Sequence, residues 1–340
     1  MVFVLPTIGL HPMKRLTIQA AIAVVAGALL LAPSAPAQTT PAQTPQANRA
    51  ANPIEVGTVD WSRDLDAALA SSKESGKPVF LLFQEVPGCS GCRKFGREVL
   101  SQPLLVEAIE DEFIPVVVFN NRSSGTDKKL LDKFGEPAWN YQVVRFLDAD
   151  GSDIIERQDG IWSVGGIASR MIQTLQQHKR SVPKYLQTVA AVANSSAQNQ
   201  VAFAQHCFWT GEANLGGIEG VIATEAGWLE GREVTLVRFD QESVSLPSLA
   251  QQAARVRCAD KVYTRQGRPL AGLRGGVLGR SYRTASASDQ KRQLSRWPAI
   301  TRLPGINAMQ LTKINSLASR NADSAMEWLS PRQRELLSQP

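Results

Sequence analysis

The chain carries a pair of cysteines at C-x-x-C spacing, Cys89 and Cys92, directly after the apolar run 79–83. The run predicts a strand, so the cysteines would stand where a helix begins. The amides and dipole of a first helical turn favour a thiolate, which would make Cys89 nucleophilic and let Cys92 close a disulfide with it. Half of a zinc site is the alternative, but a second ligand pair is missing because Cys207 and Cys258 are single. The spacing therefore favours redox chemistry.

The composition is that of a globular protein. The 340 residues, 43% of them hydrophobic and 20% charged, are enough for two domains of ordinary size. The net charge of +6 is spread along the chain rather than gathered in a basic block, which argues against a nucleic-acid partner. Three histidines are too few for a His-based metal cluster. We therefore expect no metal, no cofactor and no nucleic acid.

The N-terminus has the pattern of a secretory signal peptide, residues 1–37. Met13 starts a basic segment, an apolar run follows at 18–31, and a small-x-small cleavage signal occupies 35–37. The true start could be Met13. An uncleaved membrane anchor is the alternative, but the run is short for a full span, so we expect a periplasmic or otherwise exported protein. Residues 38–53, rich in Gln, Pro, Thr and Ala, predict a flexible linker.

The order of predicted elements in residues 54–180 indicates an α/β domain. A helix precedes the strand at 79–83, and the helix of the dithiol is followed by a strand at 114–119, a short helix, a hairpin at 143–155 and a closing helix at 164–178. This order would place the dithiol at a strand-to-helix junction.

This domain resembles the thioredoxin fold of exported proteins. Trp61 leads the first helix, Lys-Pro at 77–78 precedes the central strand, and the C-x-x-C is followed by a long helix. The resemblance implies that Pro137 is the family's cis-proline, which faces the dithiol and helps to hold an extended peptide of the partner. Val-Pro-Gly at 86–88 is similar to a subgroup in which selenocysteine can occupy the position of Cys89, so the potential of ordinary thioredoxins is not carried over.

Residues 181–200 are interpreted as a linker between two domains, with a short predicted helix after Pro183 followed by the polar run 194–200. A second cysteine at the start of a predicted helix follows this linker. The run Cys207-Phe208-Trp209 with Glu212 resembles the Gly-Cys-Phe-Trp-x-x-Glu signature of peptide-methionine (S)-S-oxide reductases. The likeness continues through residues 215–240 and faintly to 281–285. It implies an α+β, ferredoxin-like domain at 201–340.

The roles that this second resemblance implies concern the reduction of a sulfoxide. They are Cys207 as the nucleophile, Phe208 and Trp209 as the apolar wall around the substrate methyl, Glu233 as the acid on the sulfoxide oxygen, and Tyr282 as a further donor.

Reduction of a sulfoxide by these residues would leave a sulfenic acid on Cys207. That sulfenic acid must then condense with another thiol. Cys258 or the dithiol of Cys89 and Cys92 could supply it. Arginines at positions 255 and 257 should favour the Cys258 thiolate. The alternative for Cys258 is an unpaired cysteine at a helix end.

Three functions fit these observations. The leading hypothesis is an exported enzyme in which the thioredoxin-like domain feeds electrons to a methionine sulfoxide reductase-like domain. The alternative is a thiol-disulfide oxidoreductase whose second domain only binds peptides, because the family's segment before Glu233 is missing. An accessory protein that binds Cu(I) is least favoured, since Cys89 and Cys92 have no Met- or His-rich neighbours.

The expected partners follow from these hypotheses. They are oxidised client proteins or methionine-sulfoxide peptides. A membrane thiol-transfer reductant is also expected, because an exported enzyme has no thiol buffer around it.

Overall fold

The computed structural model of the protein describes residues 52–196 and 199–339. The predicted signal peptide, residues 1–37, lies outside the described residues, as does the predicted linker 38–53 apart from its last two residues. In the part of the chain that is described, no helix is both long and apolar enough to cross a bilayer.

A three-stranded sheet forms the centre of the N-terminal part. Its strands are β1 (Val79–Gln84), β2 (Ile114–Phe119) and β3 (Val143–Leu147), in the order β2-β1-β3. The central strand β1 is parallel to β2 and antiparallel to β3. The predicted hairpin at 143–155 forms only in part, because its second arm is reduced to a bridge between Leu147 and Asp153.

Every residue of β1 is buried because helices cover both faces of this sheet. Phe80 and Leu82 point into one apolar cluster, and Val79, Leu81 and Phe83 point into the other. This alternation is the period of two that a strand imposes on its side chains. The helices are α1 (Leu65–Ser75), α2 (Ser90–Glu98), α3 (Pro103–Glu112), α4 (Gly125–Phe134) and α5 (Val164–Gln177).

A six-stranded sheet forms the centre of the C-terminal part. Its elements along the chain are β4 (Gln200–Ala204), α7 (Phe208–Leu215), β5 (Val221–Leu229), β6 (Arg232–Phe239), α8 (Leu246–Arg255), β7 (Lys261–Thr264), β8 (Arg274–Val277) and β9 (Arg283–Thr284). The strand order is β8-β7-β4-β6-β5-β9, and neighbouring strands are antiparallel except for the parallel pair β7 and β8. The inner four strands and two helices follow the order βαββαβ, which is the ferredoxin-like arrangement.

Three further helices follow this sheet in the chain. They pack around a separate apolar cluster that includes Ile314 and Leu329. Each begins with a side-chain cap, from Asn307, Asn321 and Ser330 respectively, which satisfies an amide of its first turn. The helices are α9 (Ala308–Leu317), α10 (Ala322–Met326) and α11 (Pro331–Ser338).

A packed helix, α6 (Lys184–Asn194), lies within the interval predicted as a linker. Its side chains Tyr185, Leu186 and Val189 are buried in the same cluster as the helices of the first sheet. The helix contacts α3 and α5 on one side and α9 and β5 on the other. The interval 181–200 is therefore not a flexible linker over most of its length, because α6 contributes an apolar face to the core.

A buried carboxylate also joins the two parts. Glu107 on α3 is 3% exposed and accepts hydrogen bonds from the Ser330 hydroxyl at 2.6 Å and the Arg332 amide at 2.7 Å. These donors belong to the first turn of α11, where the helix dipole favours a negative charge. The C-terminal helices are thereby fixed to the N-terminal part.

Candidate functional site

The dithiol stands where the sequence predicted it, between a buried strand and a helix. Cys89 is the N-cap residue of α2, and Cys92 lies in the helix's first turn. Their sulfur atoms are 3.4 Å apart, and both thiols are free. Gly88 permits this turn, since a Cβ at that position would lie 2.3 Å from the Glu85 carbonyl oxygen and 2.7 Å from the Cys92 Cβ.

The surroundings of the two thiols shift their pKa values in opposite directions. The backbone amide of Cys92 lowers the pKa of Cys89, and hydrogen bonds from the Cys92 thiol, the Tyr141 phenol and the Gly91 amide lower it further. Burial raises the pKa of Cys92 to about 12, and the neighbouring Cys89 adds to the shift. Because Cys89 is half-buried and Cys92 fully buried, Cys89 is the accessible nucleophile.

Glu85 is a third member of this site. Its Oε2 atom accepts a hydrogen bond from the Cys89 amide at 3.2 Å and lies 3.7 Å from the Cys92 sulfur. The carboxylate and the two sulfurs lie within 4.8 Å of one another and could together offer three ligands to a soft cation. A structural zinc site takes four. Sequence reasoning missed Glu85, although an acidic residue at the end of an apolar strand was a readable signal.

The prediction for Pro137 is wrong in its geometry. Among the described residues, the one cis peptide bond joins Val86 to Pro87, so the bond before Pro137 is trans. The Pro137 carbonyl accepts the amide of Asn140 instead, within a turn. The residue of this loop that acts on Cys89 is Tyr141, whose phenol lowers the pKa of the thiol.

The loop of Tyr141 also exposes a large apolar side chain. Trp139 is 77% exposed and lies two residues before Tyr141, the phenol that lowers the pKa of Cys89. The loop is anchored by Asn140, whose side-chain amide donates to Asp159 at 3.0 Å and whose carbonyl accepts from Asn120. An exposed tryptophan on a loop that is held by two hydrogen bonds is suited to contact another protein.

The second candidate site has Cys207 as the N-cap residue of α7, half-buried. Next to it, the Phe208 amide donates to Oε2 of Glu233 at 2.7 Å, so the structure brings these predicted residues together. The Phe208 ring packs edge-on against Trp209 at 6.0 Å and against Trp228 at 5.5 Å. Both tryptophans are 37% exposed, which leaves an aromatic rim beside Cys207. Sequence reasoning did not assign Trp228 to this wall.

Tyr282 directly precedes strand β9, and its side chain is engaged by Glu225 and Gly227. Its hydroxyl donates to Glu225 at 2.6 Å, and its ring covers Gly227, where a Cβ would lie 2.5 Å from it. Burial raises the pKa of this phenol, and the Glu225 carboxylate raises it further. The phenol therefore stays neutral, and its hydroxyl is engaged in a hydrogen bond to Glu225.

Cys258 is buried against α7, the helix that Cys207 begins. Its sulfur accepts a hydrogen bond from the Asn214 amide at 3.2 Å and lies 3.8 Å from the Thr210 carbonyl oxygen. Burial raises the pKa of this thiol, while the Asn214 bond and the charge of Arg320 lower it. The expectation that the arginines at 255 and 257 favour the thiolate is wrong, since the acting charge comes from α9's C-terminal side.

Glu212, the glutamate of the Cys-Phe-Trp signature, has a supporting role. It is fully buried and accepts from the Lys291 amide at 2.6 Å, while the Lys291 ammonium lies 3.4 Å away. Burial raises the pKa of this carboxyl. The contact fixes the loop whose next residue, Arg292, stacks over the Trp209 ring at 5.3 Å.

Comparison with known proteins bears on the first of the two sites. A thioredoxin-like family model matches residues 60–149. This part of the chain is a thioredoxin-like domain. A solved structure titled "DsbH Oxidoreductase" is similar at 20% identity, covering 40% of this chain and 95% of that one, with a TM-score of 0.30. No curated protein matches the chain. The methionine sulfoxide reductase-like assignment of the second domain stays a prediction.

Proposed function

We propose that the protein is a thiol-disulfide oxidoreductase whose redox centre is the Cys89 and Cys92 dithiol. One observation carries the proposal: the sulfurs lie 3.4 Å apart, and the pKa of the half-buried Cys89 thiol is lowered while that of the buried Cys92 thiol is raised. This division gives one attacking and one resolving thiol. The match of residues 60–149 to a thioredoxin-like family supports it.

The reaction follows from the positions of three groups. The Cys89 thiolate attacks a sulfur of the client disulfide, which forms a mixed disulfide and releases one client thiolate. The Cys92 thiol then passes its proton to Glu85, 3.7 Å away, and attacks the Cys89 sulfur. This step breaks the mixed disulfide and releases the second client thiolate. The client gains two electrons, and the protein retains a disulfide between Cys89 and Cys92.

Reduction of a model disulfide by the prereduced protein tests this proposal. Cys89→Ser should abolish turnover, and Cys92→Ser should halt at a mixed disulfide that is visible by mass spectrometry. Cys207→Ser serves as the matched control and should keep full activity. Equal activity of Cys89→Ser and the wild type would refute the proposal.

A second candidate function is reduction of protein-bound methionine (S)-sulfoxide at Cys207. The placement of the Glu233 carboxyl beside Cys207, where its Oε2 accepts the Phe208 amide, and the neighbouring aromatic rim favour it, because this chemistry needs a thiol, a carboxyl and an apolar wall in one place. A methionine-sulfoxide peptide assayed with dithiothreitol tests it. Turnover no greater than that of Cys207→Ser would remove it, and the second domain would then be interpreted as a peptide-binding module.

The partners and location are part of the same proposal. The clients are oxidised proteins, and the electrons come from a membrane thiol-transfer reductant on the exported side. Trapping with Cys92→Ser should capture both classes as mixed disulfides. If only clients are trapped, the membrane donor is not supported.

A further inference from the structure

A large cavity lies beside helix α6, where this helix contacts α9 and β5. Its volume is about 890 Å³, which is within the range of small-molecule sites. Helices α5, α6 and α9 and the turns before β5 and after β6 contribute to its wall. The four cysteines, all of which are among the described residues, do not line it. The cavity is therefore separate from both thiol sites.

The most buried charged residue in the cavity wall is Lys313 on α9, which is 5% exposed. Its ammonium group has three N–H donors, and the described residues provide one acceptor, the Ile218 carbonyl at 2.7 Å. No carboxylate of the described chain forms an ion pair with this ammonium, although the charge of Glu219 acts on it. Two of its donors therefore remain available to a molecule in the cavity.

Trp328 gives the same wall an aromatic surface beside two positive charges. The Lys313 ammonium lies 5.9 Å from the centroid of the indole ring, and the ammonium of Lys184, at the start of α6, lies 5.4 Å from it. Lys184 is paired with Glu327, so of these two ammonium groups Lys313 is the one that lacks a counter-ion. The indole N–H of Trp328 is buried and has no acceptor among the described residues. Unpaired donors from two residues therefore accompany one apolar surface.

The rest of the wall restricts what the cavity can bind. Four aliphatic side chains from α5, β5 and α9 line it, namely Ile172, Ile222, Met309 and Leu317. Glu219 and Glu242 belong to the same wall and are exposed. These two carboxylates would repel a ligand that carries several negative charges. The wall therefore suits a single anionic group attached to an apolar body.

The charge of Lys313 is costly for the folded protein, because the buried ammonium loses hydration that one carbonyl does not replace. Ionisable groups that are out of balance in this way occur more often in ligand sites than elsewhere. A bound carboxylate would supply the missing counter-ion and accept charge-assisted hydrogen bonds from the two remaining donors.

We propose that this cavity binds a small monocarboxylate with an apolar body, its carboxylate on Lys313 and its apolar part against Trp328 and the aliphatic wall. The site is independent of the thiol chemistry proposed above, since no group of either thiol site takes part in it. Binding is reversible, and no covalent bond forms or breaks.

Titration calorimetry of the full chain with octanoate and with 2-naphthoate tests the proposal. We expect one molecule of either carboxylate to bind per chain. Octan-1-ol and octyltrimethylammonium keep the apolar body of octanoate without its negative charge, and they should bind at least about tenfold more weakly. Failure of both carboxylates to bind, or equal affinity for octanoate and its uncharged analogue, would overturn the proposal.

Variants locate the bound carboxylate. Lys313→Met removes the ammonium, keeps a side chain of similar length and should weaken octanoate binding at least about tenfold. Lys94→Met, at an exposed position on α2, is the matched control and should leave the affinity unchanged. Ala191→Phe should block the cavity from the side of α6, with thermal unfolding as the check that this variant is folded. Unchanged octanoate affinity in Lys313→Met, or in folded Ala191→Phe, would place the ligand elsewhere and overturn the proposal.

The pH dependence of binding provides a second readout for Lys313. Burial lowers the pKa of this residue to about 8, and a bound carboxylate would raise it again. Above about pH 8 binding should therefore take up a proton, and the affinity for octanoate should fall by up to about tenfold per pH unit.

The other charged groups around the cavity stay in place in Lys313→Met, so this variant assigns the pH dependence. They are Glu219, Asp240, Glu242 and the pair of Lys184 with Glu327. The fall in affinity above pH 8 should disappear in the variant. Its persistence would show that one of these groups causes it, which would overturn the role of Lys313.

Discussion

The thiol of Cys92 and the carboxylate of Glu85 lie 3.7 Å apart at the buried end of strand β1. The same carboxylate oxygen accepts the Cys89 amide, so Glu85 is fixed against both members of the dithiol. Because burial keeps Cys92 protonated, its attack on a mixed disulfide requires a proton acceptor at this place.

Glu85→Gln should therefore slow resolution of the mixed disulfide by at least about tenfold, since the amide can still accept from Cys89 but cannot take a proton. The measurement is single-turnover release of a thiol from a mixed disulfide preformed on Cys89. The deficit should shrink as the pH rises and hydroxide replaces the missing base. Glu98→Gln, at an exposed position at the end of α2, is the control, and an equal effect there would contradict the role of Glu85.

The two thiols should react with iodoacetamide at different pH. The Cys89 thiolate persists above its lowered pKa, so its alkylation rate should rise at a pH below that of an ordinary cysteine. Cys92, with a pKa of about 12, should stay unmodified across about pH 6 to 9. Tyr141→Phe should move the Cys89 profile to higher pH because a donor to the thiolate is removed. Mass spectrometry of the alkylated peptides reports both sites, and preferential labelling of Cys92 would contradict this assignment.

Trp139 should matter for protein clients and not for small disulfides. Trp139→Ala is expected to raise the KM for a disulfide-bonded protein severalfold, because an exposed indole beside the dithiol supplies apolar contact area. Exchange with a small aliphatic disulfide should be unchanged. Trp162→Ala, which removes another exposed tryptophan, is the comparison. A matching loss with both substrates would mean that Trp139 supports the dithiol rather than the client.

Two variants of Glu233 should show whether this residue, which lies beside Cys207, has a structural or a chemical role. Glu233→Ala removes the acceptor of the Phe208 amide and should destabilise the protein by about 1 kcal/mol. Glu233→Gln keeps an oxygen for that amide and should restore most of the stability. If Glu233 is the acid in sulfoxide reduction, the glutamine variant should still lack turnover. Thermal unfolding measured beside the sulfoxide assay distinguishes these results, and a fully active glutamine variant would exclude the acid role.

Burial of Lys313 should make the free energy of unfolding increase with pH. The side chain is 5% exposed, and its ammonium donates to the Ile218 carbonyl at 2.7 Å. Burial lowers its pKa from 10.5 to about 8. The unfolded chain therefore binds more protons between about pH 8 and 10.5, and this residue's contribution to stability rises with pH through that window.

Lys313→Met should consequently raise the free energy of unfolding, by up to about 3 kcal/mol below pH 8. The lost bond to Ile218 offsets part of this gain. The advantage of the variant should disappear above pH 10.5, where the lysine is neutral in both states. Denaturant unfolding of both proteins across this range is the measurement. A difference that does not change with pH would show that the cost of burying the charge is not the cause.

The sequence was sufficient to predict the strands and helices around the dithiol. The strand predicted at 114–119 is β2 without change, and the helix predicted at 164–178 is α5 within one residue. Buried strands and helices with one apolar face leave strong periodic patterns, which explains this success. The same patterns placed Cys89 and Cys92 at the start of a helix.

Other features depend on contacts that no local pattern contains. Tyr141 lies far from Cys89 in the sequence and acts on it only because the folded chain brings the two residues together. The isomer of the peptide bond before Pro137 also depends on its surroundings in the folded chain. Arg320 acts on Cys258 across 62 positions of the chain. Helix α6 confirms the short helix predicted after Pro183, but no local pattern showed that Tyr185, Leu186 and Val189 would pack it into the core.

The position of Glu107 has a consequence for any attempt to produce the thioredoxin-like part alone. Its carboxylate is satisfied by Ser330 and Arg332, more than two hundred residues later in the chain. An N-terminal fragment ending near residue 200 would lose both donors, together with the residues that cover the outer face of α6. Such a fragment would expose apolar surface and should aggregate or be digested readily. Recombinant exchange of the redox module between proteins would have to carry the C-terminal helices with it.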